Sequence, residues 1–153
     1  MGNHHAFIVD GMLGTLARWL RIAGYDVIYF RGLDDDLLLK KTKESARVML
    51  TRDWELYQRS LKLSLRSIYF ESEEVVAQLT HLKRQLSLKL VASNSRCPRC
   101  NGLLVETPKS DVEGLVPAES FNAFEEFWVC GDCSRVYWKG SHWVKIRETL
   151  GST

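Results

Sequence analysis

Four cysteines in two C-x-x-C pairs constrain this chain more than any other feature. Cys97 and Cys100 stand in C-P-R-C, 29 residues intervene, and Cys130 and Cys133 stand in C-G-D-C. Each pair offers two thiolates from one tight turn, and two such turns complete a tetrahedral shell of four thiolates with bonds of about 2.3 Å to zinc. Asn101-Gly102 after the first pair and Gly131-Asp132 within the second are turn formers, as knuckle hairpins require. Strand-like residues follow both pairs: Leu103, Leu104 and Val105, then Val136, Tyr137 and Trp138. The outline is that of a zinc ribbon. Other uses of paired cysteines fit less well. Disulfides need an oxidising compartment, for which the sequence carries no signal. A redox C-x-x-C opens a helix in a thioredoxin-like unit, and neither pair does. An iron–sulfur cluster uses more closely grouped cysteines. A closed four-thiolate shell has no open position, so the zinc is expected to be structural. His142 is a spare candidate ligand, expected to pack or hydrogen-bond instead.

The zinc need not hold the whole fold. With 153 residues, 45% of them hydrophobic, the chain can bury a core of useful size and carry a small appendage. No apolar run approaches the roughly 18 residues of a membrane span. The start, M-G-N-H-H-A-F-I-V-D, lacks the basic and apolar regions of a signal peptide, so a cytoplasmic location is expected.

Before the cysteines, strand and helix signals alternate. Apolar runs at 6–9, 27–30, 48–50 and 67–70 predict four strands. Leu13, Leu16, Ala17 and Leu20 predict a first helix that stops at Gly24. Asp34 is the expected N-cap of a second, reaching about Glu44, and a third covers roughly 54–62. Val75, Val76, Leu79, Leu82 and Leu86 predict a fourth. Such alternation implies an α/β fold, a parallel sheet with helices on its faces and right-handed crossovers. Residues 91–96 read as a linker, 106–126 as a long acidic loop with Pro108 and Pro117, and Ser141 to Leu150 as a final helix capped by Ser141. The expected division is an α/β domain over 1–92 and a ribbon with its loop and helix over 93–153.

Ligands of open parallel sheets bind beyond the carboxyl ends of the strands. Acids recur at that predicted edge: Asp10 after the first strand, Asp34, Asp35 and Asp36 after the second, Asp53 after the third, Glu71 after the fourth. Carboxylates converging there repel unless a cation neutralises them. Hard ions such as Mg2+ and Mn2+ take oxygen ligands of this kind, and serve phosphodiester cleavage. Acids at strand and helix boundaries are also common as simple caps and solvated turns.

Net charge is +2 but uneven: residues 1–100 carry 16 Lys/Arg against 11 Asp/Glu, and 106–126 carry one Lys against six acids. A weakly basic body fits a polyanion partner without requiring one. Arg18, Arg21 and Arg52 are candidates to hold phosphates, or to pair with the acids. Trp128, Tyr137, Trp138 and Trp143 surround the second knuckle, where aromatics can stack on unpaired bases or fill a small core; core is the expectation for most.

The ordered set F-I-V-D-G-M-L-G-T-L-A-R-W-L-R-I-A-G-Y-D-V, D-D-D-L-L, R-V-M-L-T-R-D-W-E-L, R-C-P-R-C-N and C-G-D-C-S-R-V-Y-W-K-G-S-H-W, from Phe7 to about Trp143, resembles the Mut-seven C-terminal RNase domain family. The resemblance implies a PIN-like three-layer α/β/α fold with a short parallel sheet, and a small C-terminal zinc ribbon. It implies a metal-dependent endoribonuclease acting on single-stranded RNA. Asp10 matches the first acid, Asp34 the second (with Asp35 or Asp36 able to take that role) and Asp53 the third. The fourth acid is commonly Asp in PIN-like nucleases. This chain offers Glu71, with Glu73 and Glu74 close by. The alternative expectation is an RNA-binding module with a vestigial metal site and no turnover. A third is a toxin-like PIN protein with a protein antidote.

Overall fold

A computed structural model describes residues 5–153; the first residues of the stretch read for a leader lie outside the described residues. The strands are β1 (Ala6–Asp10), β2 (Asp26–Phe30), β3 (Val48–Thr51) and β4 (Ser67–Tyr69). They form one parallel sheet in the order β2-β1-β3-β4. Between them run α1 (Gly14–Ile22), α2 (Asp35–Ser45) and α3 (Trp54–Lys62), and α4 (Val75–Leu86) follows β4. A single 3-10 turn, Gly11–Leu13, joins β1 to α1.

Side chains of a strand alternate between its faces, and the two faces of this sheet have separate cores. Phe7, Val9, Val48 and Leu50 pack with Leu16 and Leu20 of α1 and Leu79 and Leu82 of α4. Ile8 and Met49 pack with Leu38 and Leu39 of α2 and Leu56 of α3. The result is three layers, α/β/α. Strands covered on both sides must be apolar throughout, which is why β3 is buried at every position. Gly24 stops α1 as expected, at φ 91°. The Tyr25 N–H donates to Leu20 O at 3.0 Å and the Gly24 N–H to Arg21 O at 2.9 Å, the paired bonds of a Schellman end. Among the described residues, no helix is long and apolar enough to cross a membrane.

The cysteine region is a second, antiparallel sheet of β5 (Leu104–Thr107), β6 (Phe127–Cys130) and β7 (Val136–Tyr137). The acidic stretch between β5 and β6 is not a featureless loop. It holds a 3-10 turn, Lys109–Val112, and α5 (Ala118–Ala123). Pro108 and Pro117 do not break structure here. They stand just before these turns at φ −55° and −56°, the value the ring fixes and a helix entry accepts. Val112 is buried and Phe121 stacks on the buried Phe127, so the stretch covers the ribbon's small core. The last helix, α6 (His142–Gly151), returns to the main core through Leu150 and Ile146. Ser141 does not cap it. Its backbone is already helical (φ −57°, ψ −31°), whereas a capping hydroxyl needs an extended backbone to reach the free amides.

The ribbon docks on β2, an edge strand. The Val27 N–H donates to Asn101 Oδ1 at 2.9 Å, and Asn101 Nδ2 donates to Asp26 Oδ1 at 2.8 Å. The Val27 carbonyl accepts from Arg21 Nε at 3.1 Å and Nη2 at 2.8 Å, while Arg21 Nη1 donates to Pro98 O at 3.0 Å. Arg21 thus ties α1, β2 and the first knuckle together while only 7% exposed. Arg21→Met is expected to destabilise the protein by about 3 kcal/mol, because two carbonyls lose their charged donor and stay buried. The urea midpoint measures it.

Candidate functional site

The sheet order puts the switch in winding direction at β1: β2 lies on one side of it, β3 on the other, and the helices that follow pack on opposite faces. The crevice beyond the carboxyl ends of β1 and β3 is where such a sheet takes ligands. Asp10 ends β1 and Thr51 ends β3. The Thr51 hydroxyl donates to Asp10 Oδ2 at 3.0 Å, and its oxygen accepts the Asp53 N–H at 2.9 Å. Asp53 also caps α3, accepting the Leu56 N–H on Oδ1 at 3.1 Å. One buried hydroxyl therefore fixes two acids relative to each other.

The three consecutive aspartates divide their roles. Asp34 caps α2, its Oδ1 accepting the N–H groups of Asp36 at 3.0 Å and Leu37 at 3.2 Å. Asp36 is paired with Arg59 of α3. Asp35 is the one that senses the edge. Its carboxyl is pushed above the usual carboxylate range first by burial, then by the charges of Asp53 and Asp10, against the weaker pull of Arg59. Arg59 Nη1 lies 3.9 Å from Asp35 Oδ2. Asp10 and Asp53 are thus tied to each other through Thr51, Asp35 is near enough to feel both charges, and Asp34 caps the helix that carries Asp35. Glu71 is exposed, and its backbone carbonyl accepts from Arg52 Nη2 at 2.9 Å. Oxygen donors that repel one another suit a hard cation. They are not drawn into a closed set: among the described residues, only the four cysteines bring three or more ligand atoms within 4.8 Å of one another.

That second cluster could bind a metal ion such as zinc. Cys97 and Cys133 Sγ are 3.7 Å apart, Cys100 and Cys130 Sγ 3.4 Å. These separations are far beyond an S–S bond and near the edge of a tetrahedron drawn around an ion with bonds of about 2.3 Å. The N–H groups of Asp132 and Cys133 point at Cys130 Sγ, each at 3.4 Å. A Cβ on Gly102 would stand 2.6 Å from Cys130 Sγ, so the first knuckle closes only with glycine there. Burial opposes ionisation of Cys97, but the Tyr137 hydroxyl at 3.0 Å and knuckle amides outweigh it and bring the thiol down to about 7. The Gly102 amide favours the Cys100 thiolate, yet burial and the neighbouring sulfurs push it up to about 12. Thiolates this crowded need a cation among them. His142 is outside the quartet.

Between the two clusters lies an open cleft of about 1590 Å3, running from Asp10 and α1 to the second knuckle. Arg18, Arg31, Arg99 and Arg135 line it and are exposed or partly so. Arg21 reaches its wall but is committed to the Val27 and Pro98 carbonyls. The model of the Mut7-C RNAse domain family matches residues 5–150, nearly the whole chain. The chain belongs to that family. No curated protein and no solved structure matches it. As a Mut7-C RNAse domain it has a function of the ribonuclease type, and RNA is the partner class that such a domain implies.

Sequence reasoning about this Mut7-C domain overlooked Thr51, which is fully buried and joins Asp10 to Asp53. The signal was available: a polar residue closing the apolar run V-M-L and directly preceding R-D. It also spread the aromatics too evenly. Phe127 is the buried ring of the ribbon, whereas Trp128, Tyr137, Trp138 and Trp143 are half-buried, and Lys139 Nζ sits 5.5 Å from the Trp128 ring and 5.1 Å from that of Trp143.

Proposed function

We propose that this Mut7-C domain is a metal-dependent endoribonuclease that cuts single-stranded RNA at the carboxyl edge of its parallel sheet. The observation that carries the reading is the pair Asp10 and Asp53 joined through Thr51 at the topological switch, with Asp35 close enough to feel both charges. Asp10, Asp35 and Asp53 would hold Mg2+ or Mn2+, which when bound supplies water activation and stabilises charge on the leaving oxygen. The protein's own part is to fix the acids. Thr51 orients the Asp10 carboxylate, the α3 cap orients Asp53, and the Asp34 cap positions the turn that presents Asp35. Arg18, with Arg31, Arg99 and Arg135 along the cleft, offers planar forks to successive phosphates. Arg52 braces the loop after β4 through Glu71. The cysteine quartet would hold Zn2+ in a structural role, and a reducing cytoplasm would keep its sulfurs from pairing as disulfides.

A second reading, RNA binding without turnover, is favoured by one observation: Arg59 already engages Asp35 and Asp36, and the carboxylates stay apart. The test separates the two. Labelled single-stranded RNA is incubated with the protein in Mn2+ and with no divalent ion added. Cleavage only with Mn2+ supports the enzyme; binding with no cleavage in either condition leaves the binding module. Thr51→Val supplies a finer check. It removes a hydroxyl that touches no substrate, so cleavage should fall about 10- to 100-fold, as for supports behind metal ligands. Folding stability should fall by only about 1 kcal/mol. Equal losses in single-turnover rate and in Mn2+ affinity would mark it as a positioning residue.

A further inference from the structure

Three aromatic rings stand on the far side of the acids from the arginine cleft. Trp54 directly follows Asp53 and opens α3; its ring lies 5.0 Å from Tyr69 and 5.5 Å from Tyr57, and those two are 5.7 Å apart. Tyr69 is the register partner of Thr51, the residue that holds Asp10 and Asp53. Neighbouring strands are about 4.8 Å apart, so the rings begin one strand spacing from the acid edge. The trio belongs to neither core of the sheet. Trp54 is 52% exposed although it is the largest side-chain type, and Tyr57 and Tyr69 brace it from behind. An indole held open to solvent beside a row of carboxylates is poorly explained by packing: burying it would have been favourable, and its neighbours hold it at a fixed angle instead.

We propose that Trp54, braced by Tyr57 and Tyr69, is a stacking platform for one unpaired base of the strand whose phosphate reaches Asp10, Asp35 and Asp53. The inference rests on the ribonuclease reading for its ligand and deepens it, because it gives a physical reason for single-strand selection. A base can lie on the Trp54 face only when it has left its own stack, which a duplex resists. Every base has a π-face, so the platform is tolerant of sequence. An apolar protein surface is the competing occupant, and it would not respond to the state of a base.

The experiment is equilibrium binding of a short fluorescein-labelled single-stranded RNA, by anisotropy, in buffer without added divalent cation so that turnover does not intervene. Trp54→Ala should weaken binding by about 5- to 150-fold, the span of one base-stacking contact. Trp54→Phe should recover most of it, and duplex RNA should bind both variants alike. A series of RNAs with one abasic position each, tested on the wild-type protein, should show one position of comparable loss, and Trp54→Ala should add nothing to it. Unchanged affinity in Trp54→Ala, or an abasic series with no sensitive position, overturns the platform. Cleavage in Mn2+ read separately keeps the two ideas distinct. Cleavage with Trp54-independent binding removes the platform and keeps the nuclease. Trp54-dependent binding with no cleavage does the reverse.

Discussion

Asp10→Asn should lose RNA cleavage in Mn2+ by about 100-fold or more, since the charge that holds a hard ion is gone and its water activation with it. The substitution is gentle on the fold. Asparagine keeps an oxygen where Asp10 Oδ2 accepts the Thr51 hydroxyl, and it relieves the repulsion that pushes Asp35 upward. The melting temperature should therefore hold or rise slightly while activity disappears. Asp34→Ala is the companion measurement. Asp34 caps α2 with its side chain, so its loss should cost about 1 kcal/mol of stability. Its activity should fall far less than that of Asp10→Asn. If the two variants lose cleavage equally, Asp34 and not Asp35 completes the acid set.

Removing a zinc ligand should have the largest structural effect. Cys97 is fully buried, and the ribbon and its covering stretch have few buried apolar side chains, chiefly Val112 and Phe127. Structural zinc in small modules is worth an apparent 10–16 kcal/mol at neutral pH, of order the whole stability of a domain. Cys97→Ala should reduce metal content from about one zinc per chain to almost none. The ribbon should then open to limited proteolysis, while the sheet and helices of the α/β layers keep their circular dichroism. Retention of zinc in Cys97→Ala, or an intact ribbon in metal-free protein, would show that packing alone holds this region.

Much of this was legible in the chain. The four strands and first four helices follow from apolar runs and periodic leucines, because parallel strands covered on both faces must be apolar and one helical face must be. The cysteine quartet follows from spacing. Other features depend on contacts that spacing does not encode. How Asp34, Asp35 and Asp36 divide their roles depends on contacts: Asp34 bonds the free amides of α2 through one oxygen, Asp36 pairs with Arg59, and Asp35 feels the charges of Asp53 and Asp10. Arg21 and Arg18 look alike in A-R-W-L-R, yet one is buried under the ribbon and the other is exposed on the cleft. The strand β6 was hidden because F-W-V-C runs straight into a cysteine and reads as part of the knuckle. Trp54 stood inside the R-V-M-L-T-R-D-W-E-L motif without a role; its meaning comes from Tyr69 beside it, the register partner of Thr51.

The docking of the first knuckle on β2 has a consequence for the protein's colloidal behaviour. An open sheet edge is a template for another chain, and the outward amide of Val27 is kept from that use by Asn101, which sits in a left-handed turn (φ 74°) directly after Cys100. A metal ion held by the quartet would thus guard a strand that supplies none of its ligands. Protein stripped of zinc would offer a bare, apolar sheet margin, and its first failure would be self-association rather than unfolding of the body that carries the acids.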